Sequence, residues 1–366
     1  KIEELIKKLW PNGVKYRKLE ECCNILDNKR KTVTKSVREK GIYPYYGANG
    51  IQDYVDNYIF DDELVLLAED GGNFGSTEKP IAYRVSGKCW VNNHAHVLKP
   101  RKGIDVDYLC YSLMFYDTNG LVNGATRQKL TQSTLKKMSI PKRTVKQQLQ
   151  IVQELNTIKK LITARKQELQ KLDDLIKARF VELFGDLANP ECKWKKCLLV
   201  DACLNKDDIK CGPFGTQLSK DEYTTEGIAV WEIPQINMGF QCEPTHFLTE
   251  EKANQLEAYS LIPGDIAMSR KGNVGKCALF PEEYSSGIIH SDVLRIRVDK
   301  KNVNPVFMMY QLHFSQAVTR QIELVSSGAI MAGVNVTKLK QIYVHIPPIY
   351  LQNQFANFVE QIDKSK

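Results

Sequence analysis

The chain has 366 residues, 43% hydrophobic and 26% charged, with ten cysteines and a formal net charge of +8 at pH 7. That length favours two domains, each able to bury its own core, and the composition excludes a disordered or collagen-like chain. No long apolar run or signal peptide is visible, so no membrane span is expected and an intracellular protein is the expectation. The basic balance is compatible with a nucleic-acid partner. No Cys-x-x-Cys pair occurs, so reduced thiols are expected rather than a zinc site, and Asn335-Val336-Thr337 carries no glycan meaning. The first residue is Lys1 rather than Met, which suggests a trimmed or processed product.

In chain order, residues 1 to about 141 mix strands and helices. Ile59-Phe60 and Glu63–Ala68 predict strands, the latter carrying the apolar run Leu64 to Leu67 and ended by Gly71-Gly72. Val97-Leu98 predicts another strand, and Val106–Tyr116 a helix. From about Val145 to Phe184 there is neither Pro nor Gly. Leu155, Ile158, Ile162, Leu169, Leu172, Ile176 and Leu183 recur at helical spacing there, interrupted by Arg165 and Arg179. Gly185 stops the run and Pro190 lies beyond. At 1.5 Å per residue this is a rod of roughly 60 Å. Beyond it the first order recurs: Ile266–Met268 and Val293–Val298 as strands, Pro305–Phe314 as a helix, and an amphipathic end from Leu351 to Ile362.

The recurrence is a duplication. Gly124-Ala125, Leu135-Lys136-Lys137-Met138, Ile140-Pro141 and Gln147-Gln148 return as Gly328-Ala329, Leu339-Lys340-Gln341-Ile342, Ile346-Pro347 and Gln352-Asn353-Gln354. In both copies a loop leads to a short hydrophobic strand, a proline and a Gln-rich helix. Gly72-Asn73-Phe74-Gly75 matches Gly272-Asn273-Val274-Gly275 in the same way. The expected class is α+β: two similar globular domains, with a long central helix whose seam needs a partner helix. Phe355 and Phe358 of the terminal helix are the obvious partners, and that helix is too short to cover the whole seam.

The chemistry-bearing loops each carry two readings. Arg270-Lys271-Gly272-Asn273-Val274-Gly275-Lys276 gathers three cations about two glycines, as a DNA-facing loop or a solvated tight turn. Its counterpart, Glu69 to Gly75, is acidic. Asp70 and Asn73 either read base edges, Asp70 at cytosine N4, or simply form the turn. Tyr43, Tyr45, Tyr46 and Asn49 make an aromatic polar loop, set against base contact or half-buried at a domain edge. Arg127 and Gln128 carry base-reading chemistry before a strand. Lys29, Arg30 and Lys31, with Lys35 and Arg38, form a basic run, set against phosphate or simply solvated. His94 and His96 share a strand face, and with no acidic or cysteine residue nearby, packing or hydrogen bonding is expected rather than metal. His290-Ser291-Asp292 lacks a nucleophile elbow, no phosphate loop occurs, and no amino-methylase motif precedes Pro347-Pro348. The chain shows no chemistry of its own.

Several stretches, in this order, resemble the DNA-specificity subunit of type I restriction–modification enzymes. They are Pro11 to Tyr16, Tyr43 to Ile51, Trp90 to Leu98, Leu183 to Asp186, Gly212-Pro213-Phe214-Gly215-Thr216-Gln217-Leu218, and Ser269 to Gly275. The resemblance implies a non-catalytic subunit with target-recognition domains at 1–144 and 186–345. A central helix at 145–185 would pair antiparallel with a terminal helix at 346–366. Each domain would read half of a bipartite double-stranded DNA site, Thr216 and Gln217 among the candidate contacts. The helices would set the spacer and dock two methyltransferase subunits, which restriction subunits join. S-adenosylmethionine, ATP and Mg would belong to those partners and none to this chain, in the cytoplasm of a prokaryotic cell. Against the family pattern, the terminal helix here is short, which suggests a trimmed or lost distal part. A coiled-coil scaffold without DNA specificity and a stand-alone cofactor enzyme stay open as alternatives.

Overall fold

The structure is a computed structural model and describes residues 14–124, 127–189, 191–326 and 333–366. The expectations on Pro11-Asn12-Gly13, Ala125-Thr126, Pro190 and Gly328-Ala329 lie outside the described residues. Contacts divide the chain into two compact units, Lys1–Lys166 and Gln167–Lys366. The division falls inside one continuous helix, Val145–Phe184, so each unit carries part of it. No helix among the described residues is long and apolar enough to cross a membrane.

The first unit is built on a six-stranded sheet. Its order is Cys23–Ile25, Ala95–Pro100, Phe60–Ala68, Ala82–Val91, Lys40–Gly47, Gly50–Val55. Neighbours are antiparallel except Lys40–Gly47, which runs parallel to Ala82–Val91. Phe60–Ala68 is central and covered on both sides, which is why Leu64 to Leu67 form an unbroken apolar run. Val65 and Leu67 join the core under helix Val106–Met114, together with Val152 and Leu155 of the long helix. Leu64 and Leu66 pack on the opposite face with Phe60, Val85 and Val97.

The second unit holds two four-stranded sheets. One is ordered Ile209–Cys211, Val293–Ile296, Ile266–Ser269, Cys277–Leu279; the other His246–Leu248, Ile228–Trp231, Gly287–Ile289, Ser260–Leu261. Helices Pro305–Phe314 and Gln316–Ser326 cover the first sheet. Its second core is aromatic, with Trp231, Phe240 and Phe280 mutually edge-on at 5.2–5.4 Å. Repeated frames therefore carry different sheets.

What repeats is the junction. Tyr16–Lys18 pairs with Ser139–Pro141, and Lys195–Leu198 with Tyr343–Ile346, just before the two Gln-rich helices. Ser139–Pro141 and Tyr343–Ile346 are the short strands expected at the two prolines; Leu135–Met138 and Leu339–Ile342 lead into them from helical turns at Gln132–Lys137 and Val336–Leu339. Thr131 and Asn335 cap those turns through their side chains, which starts each short helix. Gln148 and Gln352 are both fully buried. The Asp105 N–H donates to Gln148 Oε1 at 2.8 Å, while Gln148 Nε2 donates to the carbonyls of Gly103 (2.9 Å) and Arg143 (3.1 Å). In the second unit Asn304 N–H donates to Gln352 Oε1 at 2.8 Å, and Gln352 Nε2 donates to Asn302 (3.2 Å) and Pro347 (2.6 Å). Asp105 and Asn304 are themselves N-caps of helices Val106–Met114 and Pro305–Phe314.

Within the second unit, the end of the long helix packs on the terminal helix, Ile349–Asp363. Phe355 meets Phe180 and Phe184 at 5.4 and 5.7 Å; Arg179 lies over Phe358, and Lys366 pairs with Asp173 at 2.8 Å. One number rises as the other falls, so the pair is antiparallel. Ile176 is buried in this cluster and Leu155 in the first unit's core, whereas Ile158, Ile162, Leu169 and Leu172 are only half-buried. Gly185, at φ +74°, closes the helix: its N–H returns to Val181 O at 2.8 Å.

Replacing either buried glutamine should be costly. Gln148→Ala or Gln352→Ala leaves one N–H and two carbonyls unpaired in the interior. Each should lower unfolding free energy by roughly 3 kcal/mol, measured by urea denaturation; an unchanged midpoint would contradict the clip.

Candidate nucleic-acid interface

In the first unit, one end of the sheet gathers loops from distant parts of the chain. Ala68 ends its strand opposite Ala95, so residues 69–75, the turn at 92–94 and the loop at 127–130 meet there. Leu130 N–H donates to Glu69 O at 2.7 Å and Gly71 N–H to Gln128 O at 3.1 Å. Asn49, exposed at a hairpin tip, donates to Gly71 O at 3.0 Å. Arg127 crosses Gly71, whose φ of +66° suits glycine. Its Nε pairs with Asp70 Oδ1, and its Nη2 lies 3.3 Å from His94 Nδ1. His94 Nδ1 is also 3.4 Å from Asp70 Oδ2. Arg127 nonetheless leaves 59% of its side chain exposed. The structure thus brings Asn49, Asp70, Arg127 and Gln128 into one patch, and adds His94, for which the sequence suggested packing or hydrogen bonding.

Beneath that patch lies a buried charge network. His96 Nδ1 is 2.6 Å from Asp27 Oδ2, and its Nε2 is 2.8 Å from the Leu130 carbonyl. The ring thereby bridges the Asp27 carboxylate and the backbone of the 127–130 loop. Arg30 reaches Glu69 at 2.6 Å and Asp27 at 3.4 Å, while Lys129 pairs with Glu69 at 3.2 Å. Burial opposes the charge on Asp27, but the hydrogen bond and charge of His96, the Val97 N–H and Arg30 outweigh it and hold its carboxyl below the usual range. Asp27, Glu69 and His96 place ligand-type atoms within 4.8 Å of one another, so His96 does have acidic neighbours, contrary to the sequence expectation. Arg30 already supplies positive charge to both carboxylates.

Several nominated residues turn inward. Arg30 keeps only 12% of its side chain exposed, because two carboxylates hold it, so it is not placed for phosphate. Tyr45 is fully buried, its hydroxyl bonded to the backbone of Val33 and its ring covered by Arg38 at 4.0 Å. Tyr46 is half-buried against Tyr83, since Tyr43 to Ile51 is a hairpin rather than a loop. Asn73 is half-buried, its amide turned to Pro80 O at 3.5 Å. Lys29 is exposed.

In the second unit the glycine loop stands beside the Gly212 segment. Arg270 is again inward: Nε donates to Val334 O at 3.1 Å, Nη1 to Ser291 O at 3.4 Å, and the guanidinium covers Phe214 at 4.8 Å. It ties three segments together, a role its neighbours in sequence do not reveal. Lys271 pairs with Asp292 at 2.8 Å. Asn273 and Lys276 are exposed, as are Thr216 and Gln217 on the adjacent turn. Gln217 Oε1 accepts from Phe214 N–H and the Tyr259 hydroxyl, both at 3.1 Å.

Residues 11–173 and 213–366 both match the model of the type I restriction modification DNA specificity domain. The chain belongs to that family. It is 28% identical over 363 residues to a Haemophilus influenzae protein named as a type I restriction enzyme specificity subunit, covering 98% of this chain and 90% of the relative. The specificity subunit of the Escherichia coli type I enzyme EcoprrI is 26% identical over 113 residues, 31% of this chain and 27% of that one. The fold is also that of the crystal structure of the type I restriction-modification S subunit from M. genitalium. The TM-score is 0.60 at 14% identity, over 97% of this chain and 91% of that one.

The glycine loop rests on a titratable anchor. His313 Nε2 accepts from Cys277 N–H at 2.9 Å, so the ring is neutral. Burial, and then the charge of Lys276, lower its pKa from 6.5 to about 4. Because the folded value lies below the unfolded one, the unfolded chain binds more protons between them. Stability should be complete above pH 6.5 and fall toward pH 4, by roughly 3 kcal/mol. Urea titrations across that range should show the slope, and His313→Gln should flatten it; an equal slope in the variant would contradict the anchor.

Proposed function

We propose that this chain is the non-catalytic DNA-reading subunit of a type I restriction–modification enzyme, each unit reading one part of a bipartite site. The observation that carries this is one frame used twice with two different loop edges. The glutamine clips and Pro-strand junctions are alike, whereas the first edge offers Asn49, Asp70, Arg127 and Gln128 and the second Thr216, Gln217, Asn273 and Lys276. Bases are distinguished by such side chains at groove edges, and exposed lysines such as Lys29 and Lys276 supply phosphate attraction. Family membership supports the reading.

In this reading the long helix is the spacer. It is one covalent element entering both cores, stiffer than any Gly/Ser linker. Its half-buried middle, with Leu161 64% exposed, offers apolar surface to two methyltransferase subunits. Adenine methylation with S-adenosylmethionine belongs to those partners, and ATP-dependent cleavage with Mg to restriction subunits, in the prokaryotic cytoplasm.

Adding one helical turn between Lys159 and Lys171, in complex with the methyltransferase, should change the unspecified gap in the recognised sequence while both specified parts persist. Selection from random duplexes measures this, and an unchanged gap would contradict the spacer role.

A further inference from the structure

We propose that Arg127 reads a guanine, and that Asp70 and His94 are positioning residues which aim it. This rests on the DNA-reading function above and assigns one base contact within it. A guanidinium has a side edge, made by Nε and Nη2, and an end edge, made by Nη1 and Nη2. Here the side edge is taken: Nε by Asp70 and Nη2 by His94. Among the described residues Nη1 has no hydrogen-bond partner, so the end edge presents two parallel donors to solvent. Gly71 lies under Nε; a Cβ there would meet it at 3.3 Å, so the guanidinium rests on backbone.

A donor-only fork selects its target by chemistry. In the major groove guanine alone offers two acceptors on one base, O6 and N7. Adenine sets an amino donor beside N7 and repels one arm of the fork. A phosphate would also accept two donors, but Asp70 already balances the Arg127 charge, and a phosphate contact gains most from an unbalanced cation. Asp70 commits Oδ1 to Arg127 Nε and leaves only 20% of its side chain exposed, so it is placed for the arginine rather than for cytosine N4. The acidic residue of this loop thus acts through the arginine. Among the described residues of the second unit, Arg270 of the glycine loop faces inward instead, held by the Val334 and Ser291 carbonyls.

The test uses the full chain assembled with its methyltransferase subunits, selecting duplexes from a randomised library. The wild type should select a guanine at a position that Arg127→Ala relaxes, by about 5- to 150-fold in preference. Asp70→Asn should relax the same position by less, and all other positions should hold. Arg127 is exposed, and an unchanged melting temperature should confirm folding. Selection unaltered in Arg127→Ala, or relaxed at a base other than guanine, would overturn the assignment while leaving DNA reading intact. A uniform loss across sequences with a shallower salt dependence would overturn it in favour of a phosphate contact. No selection by the wild type would remove the DNA-reading function itself, and this assignment with it.

Discussion

The structure hangs on a buried glutamine amide used twice. The place where each unit leaves its sheet and enters a helix must satisfy two carbonyls and the N–H of a capping residue at one point. A glutamine side chain provides one acceptor and two donors without charge. Glutamate lacks the donors and leucine lacks everything but volume. Gln148 and Gln352 meet this need with the same partners in the same order. Around that fixed joint, sheet content and loop chemistry have diverged.

The divergence is clearest in charge. The first edge concentrates carboxylates at Asp27, Glu69 and Asp70, and Arg30, His96, Lys129 and Arg127 neutralise them. Buried charge of this kind is expensive unless paired, and pairing fixes side-chain direction. The loop at 127–130 is held from below by the His96 contact to Leu130 O. The second edge is held by Arg270 reaching backbone carbonyls, by the Lys271–Asp292 pair and by a neutral histidine at Cys277 N–H. One frame therefore carries two loop supports of different physical kind.

Much of the frame was legible in the sequence. A stretch without Pro or Gly and with helical apolar spacing gave Val145–Phe184, and Pro305–Phe314 followed from a proline start and an apolar body. The central strand declared itself through an unbroken apolar run. The site was less legible, because its order depends on pairs far apart in the chain. Asp27 and His96 are 69 positions apart, and no local pattern announces that Arg30 is held by both Asp27 and Glu69. Tyr45 illustrates the same limit: hydropathy does not say which tyrosine of a hairpin faces the core. Asn-containing and cationic loops suggested contact surfaces, but whether Arg127 points outward and Arg270 inward is decided by carboxylates and carbonyls contributed from elsewhere.

The central claim is that two different edges on one repeated frame read two separate parts of a DNA site. Mapping methylated positions across a genome exposed to the assembled methyltransferase measures this most directly. The account predicts one motif with two specified parts, unlike in sequence, separated by an unspecified gap of constant length. A single continuous motif, or a gap that varies from site to site, would contradict it.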